Sequence, residues 1–249
     1  MRKNDIIRDI ALSLVLLTRL PLPTLPKPWF QHQARAVWAF PVAGLAVTLP
    51  ACTVAILALW FGLPASIAAG LLISVQIVLT GAMHEDGLAD TADGFWGGFS
   101  PERRLNIMKD SQIGTYGVLA LILSIGLRWL ALTTVLSTTG VWVPVALALL
   151  SRAAMPILMV TLSNARTSGL SQSVGRPSSA PAFLGLFIAL LISVPIIGLA
   201  TAPVIIAMGL TTFTMAMIAR AKIGGQTGDV LGAGQNVTEL AGLLVILAI

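Results

Sequence analysis

The chain has 249 residues, of which 56% are hydrophobic and only 10% charged, with a mean hydropathy of +0.91. A soluble domain is typically about a quarter charged, so that class is excluded. The formal net charge of +5 comes without any basic run interleaved with aromatics, which excludes nucleic acid as a partner and fits cations placed on one side of a membrane. The single cysteine, Cys52, lies in an apolar run, which leaves no internal disulfide and argues against a thiolate zinc site.

The first apolar run, Ile6 to Leu20, is short and carries Arg8, Asp9 and Arg19, and Pro21, Pro23, Pro26 and Pro28 end it. It predicts an interfacial or half-inserted helix. A secretory signal would share the basic start, but no small-x-small cleavage site follows. Spans are then predicted at about 36–61, 63–83, 114–136, 141–162, 181–200, 202–221 and 230–249, each near the ~20 residues a crossing helix needs. No period-2 alternation supports a barrel. The expected fold is all-α, a polytopic helical bundle of about seven spans in a lipid bilayer, with residues 1–249 as one membrane domain.

Charge placement follows the same layout. Arg2, Lys3, Arg8, Arg19, Lys27 and Arg35 precede the first span. Arg103, Arg104 and Lys109 fall between the second and third, Arg166 and Arg176 between the fourth and fifth, and Arg220 and Lys222 at the sixth-to-seventh turn. The connectors near Gly62, Ser137 to Gly140 and Thr201 carry no charge. This alternation predicts that the charged loops face the cytoplasm.

One stretch departs from the apolar background. His84-Glu85-Asp86-Gly87-Leu88-Ala89-Asp90-Thr91-Ala92-Asp93-Gly94 holds four of the ten acids and one of the two histidines. On a helix, Asp86, Asp90 and Asp93 fall at i, i+4 and i+7 and share a face. Two carboxylates about 6 Å apart repel by roughly 3 kcal/mol at an effective dielectric near 20, so the three together call for a cation. Glu85 points about 100° away on such a helix and stays outside the ligand set. Oxygen ligands make Mg2+ the leading candidate. His84 is a candidate general base for an attacking hydroxyl, or a capping group.

The stretch opens a predicted cytoplasmic loop over 84–113. Ser100-Pro101 starts a short helix bearing Arg103 and Arg104, with Lys109 beyond. Cations on carboxylates followed by guanidinium groups are what phosphoryl transfer requires. Two further arginines, Arg128 and Arg152, lie inside apolar runs, where a charge costs roughly 2.5 to 3.5 kcal/mol on insertion scales. Arg128 reads best as a structural ion pair, and Arg152 equally as structural or substrate-binding. The last run begins with Gly224-Gly225-Gln226-Thr227-Gly228-Asp229 and contains Gln235, Asn236 and Glu239. A helix cap accounts for Thr227 or Asp229, but not for polar groups deeper in the run. This run is therefore the expected second half of the site.

These residues resemble the cobalamin synthase family, whose members are adenosylcobinamide-GDP ribazoletransferases. The likeness rests on the acidic stretch, on Arg103-Arg104, and on Ile107-Met108-Lys109-Asp110-Ser111 with Ile113-Gly114-Thr115-Tyr116-Gly117. It continues in Leu17-Thr18-Arg19-Leu20-Pro21, Phe40-Pro41, Ser151-Arg152, Ala165-Arg166 with Gly169-Leu170, and Gly224 to Ala233 with Glu239. Two positions depart from the family pattern: Glu85 stands where an apolar residue is expected, and Gln226 where an aromatic one is.

The resemblance implies a multi-pass enzyme of the bacterial inner membrane with its active site toward the cytoplasm. It implies Mg2+-dependent joining of α-ribazole, or its 5'-phosphate, to adenosylcobinamide-GDP with release of GMP. Asp86, Asp90 and Asp93 match the family's acidic motif as metal ligands, with His84 beside them. Arg103, Arg104, Lys109, Arg152, Arg166, Asp229, Asn236 and Glu239 are then the candidate substrate-binding residues. A homo-oligomer is compatible with this reading. A CDP-alcohol-type phosphotransferase is the nearest alternative, but its motif places an arginine and a spacing that Asp86-Gly87-Leu88-Ala89-Asp90 lacks. A cation-coupled transporter is the alternative of another class; it would not need phosphate-type arginines in a loop, and no inverted repeat of the motif is visible.

Overall fold

A computed structural model describes residues 3–249, so Arg2 lies outside the described residues. The described residues are mostly helical, and the one β-bridge among them joins Asn164 to Gln226. In order, the α-helices are α1 (Lys3–Leu17), α2 (Gln33–Ala36), α3 (Phe40–Trp60), α4 (Ala65–Thr80), α5 (Met83–Gly97) and α6 (Pro101–Ile107). They continue with α7 (Thr115–Thr138), α8 (Val143–Thr161), α9 (Leu170–Val174), α10 (Ser179–Ile197), α11 (Thr201–Ile223) and α12 (Gly228–Ala248).

With 15 residues, α1 reaches only about 22 Å, short of the ~30 Å hydrocarbon core. Its buried Asp9 accepts from Arg8 and from the Trp38 indole at 3.0 Å, which fastens α1 to the start of α3. Among the described residues, five helical runs are long and apolar enough to cross a bilayer: 27–60, 115–138, 143–161, 179–223 and 228–248. The bent pair of α4 and α5 makes a sixth. The run over 179–223 is 45 residues long, about twice a crossing, and it turns back at Gly198, whose φ is +54°. Ser193 of α10 donates to Ala146 O at the start of α8, whereas Arg220 of α11 donates to Thr161 O at its end. The two therefore run antiparallel along α8. The seven apolar stretches expected from the sequence thus appear as five runs plus the bent pair, the longest folded in two.

The sequence reading of 84–113 as a loop is corrected. Residues 83–97 form α5, with His84, Glu85, Gly87, Leu88 and Asp93 all buried. A bend of 86° separates it from α4, made by consecutive left-handed residues, Gly81 (φ +65°) and Ala82 (φ +58°). Small residues then seat α5 in the bundle. A Cβ on Gly87 would lie 2.7 Å from Asp229 O, and one on Gly232 3.1 Å from Met83 O, so α5 and α12 touch backbone to backbone. The loop reading follows from the position of the stretch between two predicted spans, and it is these close contacts that override it.

The charged connectors are stitched together at one end of the bundle. Arg104 donates to Lys222 O at 2.8 Å, Arg166 to Leu105 O at 2.9 Å, and Ala165 N to Gln226 O at 2.8 Å. Arg19 N bonds Leu79 O at 2.7 Å, bringing the end of α1 to the same rim.

Candidate active site

A pocket opens at this rim between α5, α8, the 162–175 segment and the start of α12. Its polar side is formed by His84, Asp86, Arg166 and Asp229, and its apolar side by Leu17, Phe40, Met155 and Met159. Thr227 caps α12, accepting from Val230 N at 3.3 Å, and donates to Asp229 at 3.1 Å. That cap aims the Asp229 carboxylate at Arg166, whose Nη1 lies 3.1 Å away. The Asp90 carboxyl has Asp86, Asp229 and Asp93 as like-charged neighbours and Arg166 as the opposing charge. One guanidinium thus faces several acids drawn from two helices. Behind it, Ser171 donates to Gln226 Oε1 at 2.7 Å, and Gln226 and Gln172 both bond Asn164, forming an amide wall. Gln226, where the family resemblance expects an aromatic, is buried in this wall.

The predicted residues divide. Asp86 lines the pocket and Asp90 lies beside it. Asp93 turns to other work: its two oxygens accept from Gly114 N at 2.7 Å and Gly117 N at 2.9 Å. It caps α7, because the first turn of α7 covers the far end of the acidic face, and one lone pair on each oxygen is engaged there. Arg103 and Lys109 are exposed and do not line the pocket. Arg104 is spent on carbonyls, bonding Gly98 O at 3.0 Å as well as Lys222 O. The guanidinium at the pocket is Arg166.

Arg152, Asn236 and Glu239 also sit elsewhere than expected, in a buried network beneath the pocket. Arg128 bonds Glu85 at 3.0 Å and Glu239 at 3.2 Å, and Arg152 lies 3.6 Å from Glu239. Gln76 accepts from Arg128 at 3.0 Å, Ser151 and Gln235 donate to Glu239, and Asn236 bridges Ser124 and Glu85. Two cations and two anions balance, as burial in a low dielectric demands. Glu85, the other departure from the family pattern, is therefore the counter-charge of Arg128. The sequence reading misses Gln76, for which an amide in an apolar run is the available signal, whereas Gln235 belongs to the polar run it reads in the last helix. His84 stands between the two regions, buried and lining the pocket, with no hydrogen-bond partner on either ring nitrogen.

Among the described residues, no three His, Cys, Asp or Glu side chains converge into a metal centre. The donors nearest the pocket, Asp86, Asp90 and Asp229, are nonetheless all carboxylates. Magnesium typically takes one or two carboxylates and completes its shell with water and substrate phosphate, so this donor set fits it chemically.

Comparison with known proteins agrees along the whole chain. A family model described as cobalamin-5-phosphate synthase matches residues 9–247. A Sinorhizobium protein named adenosylcobinamide-GDP ribazoletransferase is 42% identical, covering 96% of this chain and 95% of its own. Proteins of the same name from Bradyrhizobium diazoefficiens (41% identical, covering 98% of this chain and 95% of its own) and Mesorhizobium japonicum (43%, covering 97% and 93%) are similar. No solved structure matches. The chain belongs to the cobalamin-5-phosphate synthase family.

Proposed function

We infer that the protein is an adenosylcobinamide-GDP ribazoletransferase, joining α-ribazole or its 5'-phosphate to adenosylcobinamide-GDP with release of GMP. The observation that carries this reading is the pocket, where Arg166 and Asp229 face Asp86 across the contact of α5 and α12, in a chain similar over nearly its full length to transferases of that name. The ribose hydroxyl oxygen attacks the phosphorus on the cobinamide side. A new oxygen–phosphorus bond forms, the bond from that phosphorus to the GMP oxygen breaks, and GMP departs. His84, lining the pocket with unengaged ring nitrogens, receives the hydroxyl proton. Arg166 binds phosphoryl oxygen and offsets the charge that grows there.

We further propose dependence on Mg2+, which Asp86 and Asp229 would hold with Asp90 close by and which would neutralise charge on the pyrophosphate oxygens. Asp93 is left to its capping role. We also propose that the pocket end faces the cytoplasm at a bacterial inner membrane, a reading supported by the basic connectors gathered there, and that the 249 residues form one membrane domain. The test is product analysis with the protein purified in detergent. Given adenosylcobinamide-GDP, α-ribazole and Mg2+, GMP and the joined cobamide should appear in equal amounts. Absence of GMP with either nucleophile contradicts the reading, and full turnover in chelator contradicts the metal.

A further inference from the structure

The bundle carries a second cleft that the pocket does not reach. It lies between α8, α10 and α11, where the two later helices diverge from the turn at Gly198 and rest against α8. Leu158, Phe183, Leu186, Met208, Phe213 and Met217 line it. The rims are open: Phe183 is 60% and Phe213 64% exposed. Both belong to apolar runs long enough to span the bilayer, so the surroundings of this groove are hydrocarbon and acyl chains have access to it.

The end of the cleft nearest the pocket is cationic. Arg220 lines it and donates to Thr161 O at 3.1 Å. Arg176 donates to the adjacent carbonyl, Val160 O, at 2.6 and 3.2 Å. Both arginines are exposed, and neither takes part in an ion pair among the described residues. Two guanidinium groups held on consecutive carbonyls over the mouth of an apolar groove match the shape and charge of one lipid: phosphate at the mouth, chain in the groove. We propose that this cleft binds an anionic phospholipid, with an acyl chain between α10 and α11 and the phosphate at Arg220 and Arg176.

Native mass spectrometry of the full chain, exchanged into micelles containing equal phosphatidylglycerol and phosphatidylethanolamine, tests the site. One retained lipid per chain is expected, with about 25-fold preference for phosphatidylglycerol, since each of the two basic groups near a membrane surface is worth roughly fivefold. Arg176→Gln with Arg220→Gln should bring the ratio to one. Gly209 lines the cleft and a Cβ there meets nothing within 4 Å, so Gly209→Leu fills the groove without disturbing the fold and should remove the retained lipid. Retention unchanged in Gly209→Leu overturns the proposal. So does wild-type protein that carries no lipid, or a dimer that Gly209→Leu dissociates, which would make a second copy the occupant.

Discussion

Replacing Gly87 by alanine puts one methyl group where α5 meets α12. The new Cβ would lie 2.7 Å from Asp229 O and 3.1 Å from its Cα, roughly 0.7 Å inside ordinary van der Waals separation. Neither neighbour can rotate away, because both are backbone, so the helices must part. The carboxylates of Asp86 and Asp90 then retreat from Asp229 and Arg166 by a comparable distance. Misplacements approaching 1 Å in a positioned site cost up to about 100-fold. Gly87→Ala should therefore lower kcat/KM for GMP release by 10- to 100-fold, or about 1.4 to 2.8 kcal/mol. Overpacking should add a stability loss of about 1 to 3 kcal/mol. Gly97→Ala is the control on the same helix, since its Cβ would meet only Ile107 at 3.6 Å, an ordinary contact. Equal turnover for Gly87→Ala and the wild type would show that the contact of α5 with α12 does not build the site.

Asp93→Ala should destabilise the protein by about 1 kcal/mol through loss of an N-terminal cap on α7, with Mg2+ affinity unchanged by titration calorimetry; a tenfold weaker affinity at an unchanged melting temperature would instead make Asp93 a metal ligand. Glu239→Gln leaves Arg128 and Arg152 without a shared counter-charge and should cost about 3 kcal/mol, at the lower end for breaking a buried pair; an unchanged thermal transition in detergent would refute the network's role. Reporter fusions at Glu102 and Thr139 should report opposite sides of the membrane, and the same side for both would break the topology.

Much of the site was legible in the sequence because its parts are local. The i, i+4 spacing of Asp86 and Asp90 placed both carboxylates together, and the polar groups of the last run pointed to a second half, which α12 supplies through Asp229. What was not legible depended on contacts distant in sequence. Arg103 and Arg104 follow the acids along the chain, yet Arg104 is drawn to carbonyls at Gly98 and Lys222 while Arg166, from the segment after α8, reaches the pocket. Asp93 fits the acidic face, but the amides that take it belong to Gly114 and Gly117 on another helix. Arg152, Asn236 and Glu239 were recognised as buried polar groups. Only the fold shows that they satisfy one another with Glu85 and Arg128, and that the intramembrane charge supports the pocket from below.

The most direct test of a site shared by two helices is a double-mutant cycle on GMP release with Asp86→Asn and Asp229→Asn in detergent-purified protein. Each substitution should lower kcat/KM by at least about 100-fold, and the pair should lose little more than either alone, since groups that act as a unit are not additive. Full turnover in Asp229→Asn, with Asp86→Asn inactive, would confine the chemistry to α5 and contradict the account.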